Sequence, residues 1–221
     1  MKTQTREIKP FSKIKFKDFG TLILTQGEQE SLTIEADDAI FDELISEVRG
    51  DSLVLGLDED WLTRIGSLIS SIFSSNKTKI TYRLTFVSLD KISVTGKCNL
   101  RCEAMDAKDL KINVSGLGIL EFGQLTCDNL DINISGRGEF DAAGSVQRQE
   151  VHISGSGEYQ APGLASQSAR IVISGQGNAT VRAAESLDIN ISGLGQVNYY
   201  GQPAIHQVIS GVGKSKQLDD A

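Results

Sequence analysis

From residue 92 to residue 213 one short phrase returns seven times, and it restricts the possible folds more than any other feature of the chain. It opens as Ile92-Ser93-Val94-Thr95-Gly96 and becomes Ile112-Asn113-Val114-Ser115-Gly116-Leu117-Gly118. It recurs as Ile132 to Gly138, Val151 to Gly157, Ile171 to Gly177 and Ile189 to Gly195, and ends in a degraded copy at Gln207 to Gly213. The first glycine falls at 96, 116, 136, 155, 175, 193 and 211, in steps of 18 to 20 residues. A fixed period of this kind marks a repeat architecture, in which each unit leaves its apolar face for a neighbour to cover.

Ile-Asn-Ile alternates apolar and polar, so both β-branched residues face one side of a strand. The Ser-Gly-x-Gly that follows reads as a corner, with Gly116, Gly118, Gly136, Gly138, Gly155, Gly157, Gly175, Gly177, Gly193 and Gly195 supplying backbone angles closed to residues with a Cβ. A second alternating stretch comes next, as in Leu120 and Phe122 or Phe140 and Ala142, then a turn at Gly123, Gly144, Gly163 or Gly201, then a third stretch back to the next phrase. Three short strands and three corners per unit describe one coil of a right-handed parallel β-helix, an all-β solenoid. Ile112, Ile132, Val151, Ile171 and Ile189 would stack as one internal ladder, about 4.8 Å per step. Val114, Ile134, Ile153, Ile173 and Ile191 would form a second. At roughly 1.5–3 kcal/mol per buried aliphatic side chain, such rows would be the main source of stability.

Three segments follow from this reading. Residues 6–90 form a β-rich N-terminal portion packed on the solenoid, residues 91–213 the repeats, and residues 214–221 a polar tail. Within the first, 58–75 reads as an inserted amphipathic helix, with Trp61, Leu62, Ile65, Leu68, Ile69, Ile72 and Phe73 on one face. It is expected to act as a lid on the solenoid; a homo-oligomer contact or an interfacial anchor are the other readings.

Composition excludes several partners. A net charge of −7 opposes binding to nucleic-acid phosphates. No run of about 18 apolar residues is present, so no transmembrane helix is expected. The first ten residues lack the apolar core of a signal peptide. The chain is therefore read either as cytosolic or as a mature exported form. Cys98, Cys102 and Cys127 are odd in number and lack C-x-x-C spacing. They are read as small buried apolar residues, with a Cys102–Cys127 bridge between neighbouring coils as the alternative.

With these motifs in view, the chain resembles the bacterial auto-transporter adhesin head GIN domain family. The likeness rests on the coils from Ser115-Gly116-Leu117-Gly118 to Ser210-Gly211-Val212-Gly213, and on Phe11-Ser12-Lys13-Ile14, Leu22 to Gly27, Gly50 to Leu55 and Leu89 to Gly96. It spans roughly 6–213 and departs from the family at 58–78, at Cys98 and at Gln207. The resemblance implies a β-helix, often exported to the periplasm or cell surface, and supplies no catalytic residues.

No catalytic apparatus, cofactor motif or metal set is recognisable. The only histidines are His152 and His206, and His152 takes the outward position that Asn113, Asn133 and Asn190 hold in other coils. That row could form a side-chain hydrogen-bond ladder or a strip facing a ligand. The leading expectation is a non-enzymatic, extracytoplasmic binding protein whose partner is a protein or a surface glycan. The corners Leu117, Arg137, Gln176, Leu194 and Val212 are its candidate contacts. The alternatives are a polysaccharide lyase or hydrolase using Glu121, Glu139, Asp141 and Glu158, since glycoside cleavage needs paired carboxylates, and a scaffold that assembles end to end.

Overall fold

The computed structural model describes residues 1–58 and 79–219. Apart from Asp58, the helix read over 58–75 lies outside the described residues. The chain winds into a β-solenoid of about six turns. Its sixteen described strands form one continuous sheet.

The repeats are strands β8 (Lys91–Val94), β9 (Lys97–Val114), β10 (Leu117–Ile134), β11 (Arg137–Ile153), β12 (Ser156–Ile173), β13 (Gln176–Ile191) and β14 (Leu194–Tyr200). Each pairs in parallel with the coil above and below. The expected ladders are present. Ile92, Ile112, Ile132, Val151, Ile171 and Ile189 lie in register, all fully buried. A third row runs Leu100, Leu120, Phe140, Tyr159, Ala179 and Val197. Within it the Phe140 and Tyr159 rings stack with centroids 5.2 Å apart.

The coil differs from three separate strands. β9 to β13 each run unbroken for 16 to 18 residues, and only the Ser-Gly step interrupts them. Backbone bonds to neighbouring coils continue round the other corners, so the ladder does not stop where the chain bends. Differences in coil length are absorbed there, as register shifts between Phe122 and Leu125 and between Gln160 and Ala165.

The reason for the phrase glycines also differs from the sequence reading. Among the described residues positive φ occurs only at Gly20, Gly50, Gly144 and Gly201. What forbids a side chain at Gly116, Gly136, Gly155, Gly175 and Gly193 is the coil beneath. A Cβ at Gly155 would collide with the carbonyl oxygens of Gly136 and Ser135. That closeness is what lets Ser156 N–H reach Gly136 O at 2.9 Å. The second glycine of each phrase faces inward, where a Cβ on Gly138 would come 3.0 Å from Ile134 Cγ2.

The ladders extend below residue 91. Strands β2 (Lys13–Phe16) and β3 (Phe19–Gln26) form a coil directly beneath β8 and β9. Beneath that coil lie β6 (Ser52–Leu57) and β7 (Ile80–Phe86), which come later in the chain. The first coil in sequence is therefore enclosed between two later ones, and Leu53 and Ile14 join the isoleucine row. Two antiparallel additions finish this end. β4 (Ser31–Ala36) joins β7 and carries β1 (Lys2–Arg6), while β5 (Leu44–Arg49) joins β6. The single turn α1 (Asp38–Phe41) buries Ile40 and Phe41.

At the other end β15 (Ala204–Ile209) lies on β13 and β16 (Val212–Gln217) on β14. Residues 214–217, read as tail, thus belong to a strand. Interior positions here turn polar: Gln207 follows Ile189 and Ser215 follows Val197. Ser215 Oγ donates to Gln207 Oε1 at 2.6 Å on this exposed end.

Candidate functional site: an axial groove

In Ser-Gly-x-Gly the residue x and the residue after the second glycine both point outward, flanking an inward-facing glycine. Stacking repeats this arrangement on every coil. One wall is Leu117, Arg137, Ser156, Gln176, Leu194 and Val212; the other is Ile119, Glu139, Glu158, Asn178, Gln196 and Lys214. The floor is the backbone of the glycine row. From Arg137 to Lys214 the walls enclose a shallow groove of about 720 Å³. A smaller hollow of about 170 Å³, lined by Lys97, Leu117 and Ile119 among others, continues it downward.

The corner residues singled out from the sequence thus lie in one row. Sequence reading missed the second wall, although the signal was available: residues two apart on a strand share a face.

Most of the groove's polar groups are unspent. Arg137, Glu139, Ser156, Gln176, Asn178 and Lys214 make no side-chain hydrogen bond or ion pair with any described residue. Gln196 donates to Asn198 at 2.6 Å, and Glu158 accepts from Gln160 at 2.8 Å. The face carrying the third stretch of each coil is arranged differently. There Lys111 pairs with Asp131 at 2.6 Å, Arg148 with Glu150 at 2.9 Å, and Arg170 with Asp188 at 3.0 Å. His152 lies 2.9 Å from Glu150 and His206 3.4 Å from Asp188. Of the outward row Asn113, Asn133, His152 and Asn190, two members bond along their own strand: Asn133 donates to Asp131 and His152 lies against Glu150.

The four acidic residues do meet. Glu121 is in register with Asp141, and Glu139 with Glu158. They surround a hollow of about 180 Å³, and Arg101 Nε holds Glu121 at 2.9 Å. Among the described residues no group of three or more His, Cys, Asp or Glu could hold a metal ion. No described helix is long and apolar enough to cross a membrane.

The three cysteines are free and buried. Cys102 stacks on Phe122, whereas Cys127 stacks between Ala107 and Val146, so the bridge alternative does not form. Burial pushes the Cys98 and Cys127 thiols up to about 12 and that of Cys102 to about 11.

The molecule is a β-solenoid that presents an axial groove. Its sequence matches, over residues 10–203, the family described as "Putative auto-transporter adhesin, head GIN domain", and the chain belongs to that family. Solved structures share the architecture. A putative adhesin from Bacteroides fragilis is 27% identical with a TM-score of 0.86, covering 98% of this chain and 96% of that one. A putative adhesin from Parabacteroides merdae is 19% identical, TM-score 0.71, covering 98% and 95%. A putative lipid binding protein from Parabacteroides distasonis is 23% identical, TM-score 0.69, covering 98% and 96%. The last two demonstrate a common fold. No curated protein matches the chain in sequence.

Proposed function

We propose that the chain is a non-catalytic binding module of the bacterial cell exterior, and that it captures its partner along the axial groove. The observation that carries this reading is the contrast between faces: six of the groove's polar side chains have no partner among the described residues, while on the third-stretch face Lys111 pairs with Asp131, Arg148 with Glu150 and Arg170 with Asp188. Exposed donors and acceptors in a concavity are what a ligand can exchange for its own bonds with water. The family description supports both the adhesive role and the location outside the cytoplasm.

The test is an array bearing glycans and peptides, probed with the whole chain and with the triple variant Gln176→Asp, Leu194→Asp and Val212→Asp. These positions are exposed, so the melting temperature should not change. Binding should fall at least tenfold. Binding that survives the triple variant would remove the groove as the contact face. Release of reducing ends from any polysaccharide would instead favour catalysis by the Glu121, Glu139, Asp141 and Glu158 group.

A further inference from the structure

Resting on the groove as binding face, we infer that its ligand is an uncharged, hydroxyl-rich linear polysaccharide lying parallel to the solenoid axis, with about one sugar per coil. Three observations lead there.

The first is spacing. The walls repeat once per coil, about every 4.8 Å, so the five rungs from Arg137 to Val212 span roughly 19 Å. A ligand that meets each rung alike must itself repeat at about that distance, close to the length of one pyranose residue in an extended chain. An extended peptide places same-side residues about 6.8 Å apart, so adjacent rungs cannot meet equivalent groups. Nor can a peptide add to the sheet here. The groove floor is a sheet face whose backbone groups are bonded to neighbouring coils, and strand addition needs a free edge.

The second is the chemistry of the central rungs. Gln176, Asn178 and Gln196 are amides, and each presents a donor and an acceptor. A hydroxyl also gives one and takes one, so amides facing hydroxyls leave few groups unmatched. Gln176 and Asn178 have no competing partner among the described residues. The exposed Leu194 and Val212 offer apolar surface to the C–H face of a sugar ring.

The third is charge. Arg137 and Lys214 are balanced by Glu139 and Glu158 within the same walls. A polyanion would meet two carboxylates on adjacent coils, and the chain carries −7 overall. Neither sign of polymer is favoured, which leaves the uncharged one.

Calorimetric titration of the whole chain with neutral oligosaccharides of one to eight residues, built from glucose, mannose or xylose, tests the inference. At least one series should bind, with affinity rising with length and levelling at about five residues. The double variant Gln176→Ala, Asn178→Ala should bind at least tenfold more weakly with the melting temperature unchanged. Ser168→Ala, on the ion-paired face, should bind normally. Parallel titrations use sulfated oligosaccharides and extended peptides. If only these bind, and binding depends on Gln176 and Asn178, the uncharged-polysaccharide inference is overturned while the groove stands. The inference also fails if neutral sugars bind without dependence on length or on the amides, or if none binds. Binding of any probe that survives the Gln176, Leu194 and Val212 triple variant would remove the groove itself.

Discussion

The Tyr82 hydroxyl donates a hydrogen bond to Asp18 Oδ2 at 2.5 Å in the interior of the solenoid. Asp18 stands beneath Gly96, where every coil above carries the first glycine of the phrase. From Leu117 upward the next residue's N–H reaches a glycine carbonyl one coil below, as Leu117 N–H reaches Gly96 O, while Lys97 N–H reaches Asp18 O. The Phe19 N–H donates to Asp18 Oδ1 at 2.7 Å.

The buried carboxyl makes stability depend on pH. Burial pushes the Asp18 carboxyl up to about 6 from its ordinary 3.8, against the pull of the Tyr82 and Phe19 bonds; Cys98 and Arg6 also face this pair. The folded state therefore holds the proton more tightly than the unfolded one. Its contribution is fully present below pH 3.8 and is lost as pH rises through about 6, a loss of about 3 kcal/mol. Asp18→Asn keeps an acceptor for Phe19 N–H and cannot ionise. Relative to the variant, the parent should lose stability between pH 4 and 7 in urea titrations; parallel curves would refute the assignment.

Glycine acts for two different reasons, and alanine substitution separates them. Gly155→Ala forces a methyl against the Gly136 carbonyl and should cost about 3 kcal/mol, as overpacking does. Gly50 has φ +66° with open space around it, so Gly50→Ala should cost only about 1 kcal/mol, the strain of a left-handed backbone. Chemical denaturation of the two variants should rank them in that order.

Gln149 occupies the position of Leu130 one coil below, yet is fully buried. It accepts from Tyr159 Oη at 2.6 Å and donates to Ser166 Oγ at 2.8 Å, and Ser166 in turn donates to Arg182 O at 2.7 Å. Gln149→Leu should cost about 2 kcal/mol, because the Tyr159 hydroxyl loses its acceptor. Adding Tyr159→Phe should restore at least half of that loss. Additive losses in a double-mutant cycle would show that the two do not act as a unit.

The three thiols should resist alkylation. Burial and raised pKa values leave little thiolate at pH 8. Iodoacetamide should leave the native chain unmodified for hours and label three sites after denaturation, as read by intact mass. Rapid native labelling of Cys98, Cys102 or Cys127 would contradict their placement.

The coils from 92 to 213 were legible in the residues because two local regularities coincide. Alternation within a strand assigns each isoleucine a side, and a nearly constant period brings equal sides into register. The groove's first wall followed from the same logic, since x sits at one place in every phrase. What local pattern could not supply is the order in which distant strands stack. Nothing in Lys13–Phe16 or Ser52–Leu57 says that β2 is enclosed between β6 and β8, because that pairing depends on which edge is free once the chain has turned back. Gln149 was passed over for a related reason: a polar residue at an apolar position is tolerated only when Tyr159 and Ser166, ten and seventeen residues away, arrive to bond it. The reason for the phrase glycines was decided in the same way, by a carbonyl one coil below and not by the angles of their own backbone. Local order sets which face each side chain takes; contact between coils sets what that face meets.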